Sequence, residues 1–219
     1  GVEHYVIDCL TPPDKAFADL YCRNTTMSHL DDWGTIAYGI ARGFPARRVS
    51  LKGSASEICR CSSHKKVGAG PLTWENFVAI VPGWSSFPFI RRRLQEWFAD
   101  SAPAAEECGV DLLDLYYWEH RMGGWQAQSQ LEWDIAQEVF SPFNHRPLIE
   151  RLLSVPPRYR REPDYVVYRR LAARLWPEVL AAPINPPESV RQWLKVLCVR
   201  VGVEGLLRRV VRRVRHRKG

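Results

Sequence analysis

Two short runs of this chain carry residue types and spacings suited to chemistry. The first is Val49-Ser50-Leu51-Lys52-Gly53-Ser54-Ala55-Ser56-Glu57-Ile58, where alternating polar and apolar residues give way to a glycine, small residues and a carboxylate. Small residues after a strand let backbone N–H groups approach phosphate closely, and a nearby carboxylate can hold the magnesium that neutralises it. Gly53, Ser54, Ala55, Ser56 and Glu57 are therefore the candidate phosphate-side residues, with Glu57 as the candidate metal ligand. The same residues also fit an ordinary glycine turn with a solvent-facing glutamate. The second run, Cys59-x-Cys61-x-x-His64, sets three soft ligands close together. A tetrahedral zinc site needs a fourth ligand and usually a wider first pair, so solvated or redox-silent thiols are expected here.

The elements that would position these residues can be read from periodicity and punctuation. Val2 to Asp8 reads as a strand already inside a domain, Pro12-Pro13 break it, and Lys15 to Cys22 can form a short helix. With Gly rather than Met at residue 1, that strand predicts an incomplete start. Leu30, Trp33, Ile36, Ala37, Ile40 and Ala41 recur at helical spacing and stop at Gly43. Arg47 to Lys52 alternates as a strand does. Beyond Pro71 the pattern is helical: Trp74 to Val81, Phe89 to Asp100, Val110 to Phe140 with a break near Gly123-Gly124, Pro147 to Val155, Tyr165 to Leu180 and Ser189 to Arg217. Prolines mark the connectors, Pro103 and Pro142 among them. The architecture expected is a small α/β remnant over residues 1–70, a helical subdomain over 71–205 and a basic amphipathic tail over 206–219.

Composition bounds the rest. The chain has 219 residues, 46% of them hydrophobic, with nine tryptophans, enough to bury a core without metal or disulfide staples. Its formal charge of +7 resides in the tail, because seven cations lie after Leu207 and the remaining 24 bases meet 24 acids. Six scattered cysteines and no signal-type apolar opening predict a reducing, cytoplasmic setting. In the tail, Leu206-Leu207, Val210-Val211 and Val214 alternate with arginines, as in a helix that packs by its apolar face or lies on an anionic membrane surface. The aromatics follow helical spacing rather than interleaving with bases, which argues against nucleic acid as a partner.

The run from Val49 to Ile58 resembles the strand-turn segment that asparagine synthase-like, ATP-pyrophosphatase-type proteins place beside ATP. The order continues through Leu112-Leu113-Asp114-Leu115-Tyr116-Tyr117-Trp118-Glu119-His120-Arg121-Met122, then Leu131-Glu132, Ser141-Pro142-Phe143 and Leu152-Leu153-Ser154-Val155-Pro156. The likeness covers roughly residues 46 to 185. It implies a HUP-like α/β fold with few parallel strands, ATP and Mg2+ at the Gly53–Glu57 turn, and an amide-forming reaction through an acyl-adenylate. A small-molecule or peptide carboxylate would be the acyl substrate, with ammonia or an amine supplied by another protein. It also implies that Glu119 orients or deprotonates the amine, with Tyr116 or Tyr117 as its partner in a tyrosine–carboxylate pair. The Ser-Gly-Gly-x-Asp-Ser phosphate loop of that family does not occur among these residues, and Tyr165 stands where a lysine is expected, leaving Arg169 or Arg170 as the substitute cation. A non-catalytic relative acting as a binding scaffold, and a peripheral binder working through the tail, are the alternative readings. For the last, salt-sensitive binding to anionic vesicles or DNA, lost on deleting residues 206–219, is the expected signature.

Overall fold

The computed structural model describes residues 4–25, 29–68 and 70–182. The chain divides into two compact units, Gly1–Ser154 and Val155–Gly219. The basic tail and the helix expected over Ser189 to Arg217 lie outside the described residues.

In the first unit, residues 4–10 form no strand, contrary to the expectation for Val2 to Asp8. Asp8 turns the chain instead, its carboxylate accepting the Leu10 amide and the Thr11 hydroxyl, each at 2.9 Å. The segment lies against a helix, α2 (Thr35–Gly43), where a Cβ on Gly39 would stand 2.3 Å from the Asp8 carbonyl oxygen. Glycine is what permits that approach, and a helix surface offers no ladder to pair a strand. Before it, α1 (Lys15–Asn24) is capped by Asp14, which accepts the Phe17 amide at 2.9 Å. A π-helical turn, Leu30–Gly34, leads into α2.

The strand expected near Arg47 to Lys52 is β1 (Val49–Leu51). It pairs in parallel with β2 (Glu138–Phe140), Val49 opposite Glu138 and Leu51 opposite Phe140, and the Lys52 amide extends the ladder to the Phe140 carbonyl at 2.9 Å. These are the two strands among the described residues, and the chain is helix-rich. The helical reading of Val110 to Phe140 therefore fails at its end. Here the β1 edge supplies hydrogen-bond partners that no local pattern announces.

Between the strands lie α3 (Trp74–Ala79), α4 (Pro88–Glu107), α5 (Leu112–Tyr116), a π-helical run Tyr117–Gln126 and α6 (Ala127–Trp133). Pro103 does not end α4 as expected. It removes one donor, yet the next turn buries Ala105, and Gly109, in the left-handed region at φ 65°, makes the stop. Likewise Gly123-Gly124 do not break the helix but sit inside the π-helical run. Phe77, Val78, Ile80, Leu94, Leu113 and Tyr116 form the core, with Trp97 edge-on to Phe77 at 5.2 Å. After β2 comes α7 (Arg146–Leu153), which buries Ile149 and Leu152.

A second, polar centre ties α6 to the start of the chain. Glu132 is fully buried, and its carboxylate accepts from the Tyr21 hydroxyl, the His29 amide at 2.8 Å and the Gln128 side chain at 2.9 Å, with His29 Nδ1 at 2.7 Å. Burial alone would raise its pKa, but these contacts outweigh it and hold the carboxyl below the ordinary 4.5.

The second unit begins at Val155 and contains α8 (Pro157–Arg160) and α9 (Val166–Leu175), followed by a 3₁₀ turn at Pro177–Ala181. Arg160 is buried, its Nε donating to the Val155 carbonyl at 2.6 Å. Among the described residues no helix is long and apolar enough to cross a membrane.

Removing the Glu132 carboxylate strands several buried donors, so Glu132→Ala is expected to cost about 3–5 kcal/mol in urea unfolding. The neighbouring half-exposed Leu131, changed to Ala, should cost about 0.5 kcal/mol.

Candidate functional site

The turn after β1 closes on itself. The Ser56 amide and hydroxyl both donate to the Gly53 carbonyl, at 3.0 and 2.7 Å, and Ser54–Arg60 winds as a 3₁₀ helix. Ala55, Ile58 and Cys59 are its buried face, which leaves Ser54, Ser56 and Glu57 partly exposed. At Gly53 the φ is −85° and nothing lies within 4 Å of where a Cβ would be. Glycine is thus not demanded by conformation there; its effect is to leave the backbone accessible.

Glu57 faces the π-helical run. Its Oε2 accepts the Tyr117 hydroxyl at 2.7 Å and its Oε1 lies 3.4 Å from Arg60 Nη1. Burial, then the hydrogen bond and charge of Glu57, push the Tyr117 phenol up to about 12, against the opposing charge of Arg121 and a hydrogen bond from Ser62. Tyr117 is therefore a donor, not a base, at neutral pH. The tyrosine–carboxylate pair expected near Glu119 is made by Glu57 and Tyr117. Tyr116 points instead into the core, 3% exposed between Phe77, Trp97 and His120, with its phenol raised to about 12 by burial.

One turn earlier on the same helix, Asp111 and Asp114 meet the chain that follows the 3₁₀ segment. Asp111 caps α5, its Oδ1 accepting the Leu113 and Asp114 amides at 2.9 and 3.1 Å. Its Oδ2 lies 3.1 Å from His64 Nε2. Burial raises the Asp111 carboxyl, but His64 and the two amides outweigh it and leave the pKa below the ordinary 3.8. Cys61 Sγ, a His64 ring nitrogen and an Asp114 carboxylate oxygen lie within 4.8 Å of one another. Cys61 adopts φ 54° and ψ 36°, a left-handed conformation that costs a side-chain-bearing residue about 1–3 kcal/mol. Cys59, the first member of the Cys-x-Cys-x-x-His run, is turned away, with its sulfur 3.9 Å from the Ile149 carbonyl.

An open cleft of ≈ 690 Å³ adjoins this seam, with Asp111, Asp114, Glu119, Arg146 and Glu150 in its wall. Four carboxylates against one guanidinium make it acidic, a setting for a cation or an amine rather than a bare anion. Glu119 is held in place by the Trp97 indole N–H, which donates to Oε2 at 2.6 Å. Arg169 belongs to α9 in the second unit, where its Nε donates to the Asp164 carbonyl at 2.9 Å.

The structure thus joins Glu57 with Tyr117 and Asp114 with His64 and Cys61, and it places Glu119 in the cleft. Sequence reading missed Asp111, Asp114 and the Glu132 centre. The Asp-x-x-Asp spacing at 111 and 114 is visible as a helix start, but its second use, holding His64, is not. Compared with models of protein families, with curated proteins and with solved structures, the chain matches none.

His120 stacks on Tyr116 at 4.8 Å, and burial, opposed by the charge of Glu119, holds its pKa below 6.5. As pH falls below that value the unfolded chain takes up the proton first, so stability is complete above about pH 6.5 and drains toward the folded pKa. Asp111 and Glu132, with depressed carboxyl pKa values, lose their contributions only at more acidic pH, below the ordinary 3.8 and 4.5. Urea midpoints should fall for the parent as the pH is lowered below about 6.5, and less for His120→Phe.

Proposed function

We propose that the chain is an asparagine synthase-like, HUP-type amide-forming ligase domain, in which a carboxylate activated as an acyl-adenylate is attacked by ammonia or an amine. The observation that carries this reading is convergence. The Gly53–Glu57 turn and the Tyr116-to-Met122 stretch, the two quoted runs of the resemblance, meet in the 2.7 Å Glu57–Tyr117 hydrogen bond. Their flanks meet as well, because the strand before the turn pairs in parallel with the strand before Ser141-Pro142-Phe143. Parallel pairing is the arrangement of α/β nucleotide-binding sheets, in which ligands sit beyond the carboxyl ends of the strands, where Gly53 lies.

In this reading Gly53 to Ser56 border the nucleotide, Glu57 reaches Mg2+, and Glu119 receives the amine in the acidic cleft. A cytoplasmic setting suits that chemistry, since ATP is supplied there. Arg169 is the substitute for the lysine.

A second reading, a non-catalytic relative serving as a binding scaffold, is favoured by one specific observation. Both Glu57 oxygens already have partners within the protein, one the Tyr117 hydroxyl and the other Arg60, which suits a carboxylate that serves the scaffold.

Calorimetric titration of Mg-ATP into the purified chain separates the two. The ligase reading expects saturable, magnesium-dependent binding, weakened about tenfold in Glu57→Ala, the equivalent of roughly 1.4 kcal/mol. Absence of binding by a folded sample would favour the scaffold, and equal binding by Glu57→Ala would remove Glu57 from the metal.

A further inference from the structure

We infer that Cys61, His64 and Asp114 form a three-ligand zinc site whose fourth position faces the acidic cleft. The three donors lie within 4.8 Å of one another. Zinc bond lengths of about 2.0–2.3 Å to nitrogen, oxygen and sulfur put neighbouring tetrahedral ligands roughly 3.4–3.7 Å apart. His64 Nδ1 and Asp114 Oδ1 stand 3.8 Å apart, too far for a hydrogen bond and close to that edge. A cation bridging that pair needs a shift of only tenths of an ångström, and a donor pair at the 4.8 Å limit would have to close by about 1 Å.

The tautomer of His64 points the same way. An ionised Asp111 can only accept at Oδ2, 3.1 Å away, so the proton belongs on Nε2, and in the neutral tautomer this leaves the lone pair at Nδ1. That Nδ1 is buried and has no hydrogen-bond partner among the described residues. A carboxylate gripping one ring nitrogen while the other faces the ligand centre is the outer-shell arrangement of metal-bound histidines. Asp111 is itself immobilised by the two amides it caps at the start of α5. Cys61, in turn, occupies a left-handed backbone position that glycine or asparagine fills more easily, which puts its thiol where the other two donors are.

A mixed sulfur, nitrogen and oxygen set selects zinc over magnesium or calcium, which prefer oxygen alone. Three protein ligands leave a position for water or a substrate oxygen, and Asp114 stands in the wall of the ≈ 690 Å³ cleft. The inference uses no nucleotide and does not depend on the ligase reading. The competing arrangement is an imidazolium held between the two aspartates with no metal.

Titration of the metal-free full-length chain with Co2+ distinguishes them, because a cobalt–thiolate bond gives a charge-transfer band and tetrahedral cobalt gives strong visible absorption. The expected result is one equivalent bound, both signals displaced by one equivalent of Zn2+, no thiolate band in Cys61→Ser, and affinity about 10–100-fold weaker in Asp111→Asn. Cys22→Ser, at an exposed position, should titrate like the parent. A folded parent chain that shows no thiolate band, or a band that survives unchanged in Cys61→Ser, overturns the site. The parent titration decides the matter even if Cys61→Ser does not fold, with circular dichroism reporting the fold of each sample.

Discussion

The buried carboxylate of Glu132 is the constraint around which the first unit is organised. A charge removed from water costs several kcal/mol unless every lone pair is met. Here the partners come from Tyr21 on α1, from His29 before α2 and from Gln128 on α6, residues up to 111 positions apart in the chain. Satisfying one side chain thus fastens the amino-terminal helices onto the central helix. The indole of Trp133 adds to the same junction by donating to the Trp33 carbonyl at 3.2 Å.

That central helix, running from Leu112 through the π-helical stretch to Trp133, serves three partners because successive residues point about 100° apart. Leu113 and Tyr116, three apart, face the aromatic core with Phe77 and Trp97. Asp114 and Tyr117, one position on, face the segment after β1 and meet His64 and Glu57. Glu132 completes the set on α6. A single element therefore couples the apolar core, the candidate chemistry and the polar centre, and disturbance of one face is felt by the others through a shared backbone.

The charge layout gives the seam its chemical character. Three carboxylates, Asp111, Asp114 and Glu57, lie along this seam, with His64 Nε2 opposite Asp111 and the Tyr117 hydroxyl donating to Glu57. Beyond them the cleft adds Glu119 and Glu150 with Arg146 as the single cation. Fixed carboxylates that have been stripped of part of their water attract metal ions and amines more strongly than they would in solution. Both the ligase reading and the zinc site draw on that field, the first at the Glu57 end and the second at the Asp111–Asp114 end.

Much of this was legible in the residues. Periodicity located α2, α3, α7 and α9, alternation located β1, and the small-residue turn and the Cys-x-Cys-x-x-His run marked the stretch from Gly53 to His64 as chemically capable, because these features depend on neighbours a few positions apart. The tertiary structure alone decided the rest. It turned Cys59 inward toward Ile149 and brought Asp114 into its place, 50 residues on from His64. It gave the tyrosine–carboxylate pair to Glu57 and Tyr117 rather than to Glu119, and it turned residues 138–140 from helix to strand by offering them the edge of β1. Each of those outcomes rests on contacts between segments far apart in the chain, whose energies outweigh local propensity and leave no local pattern to read.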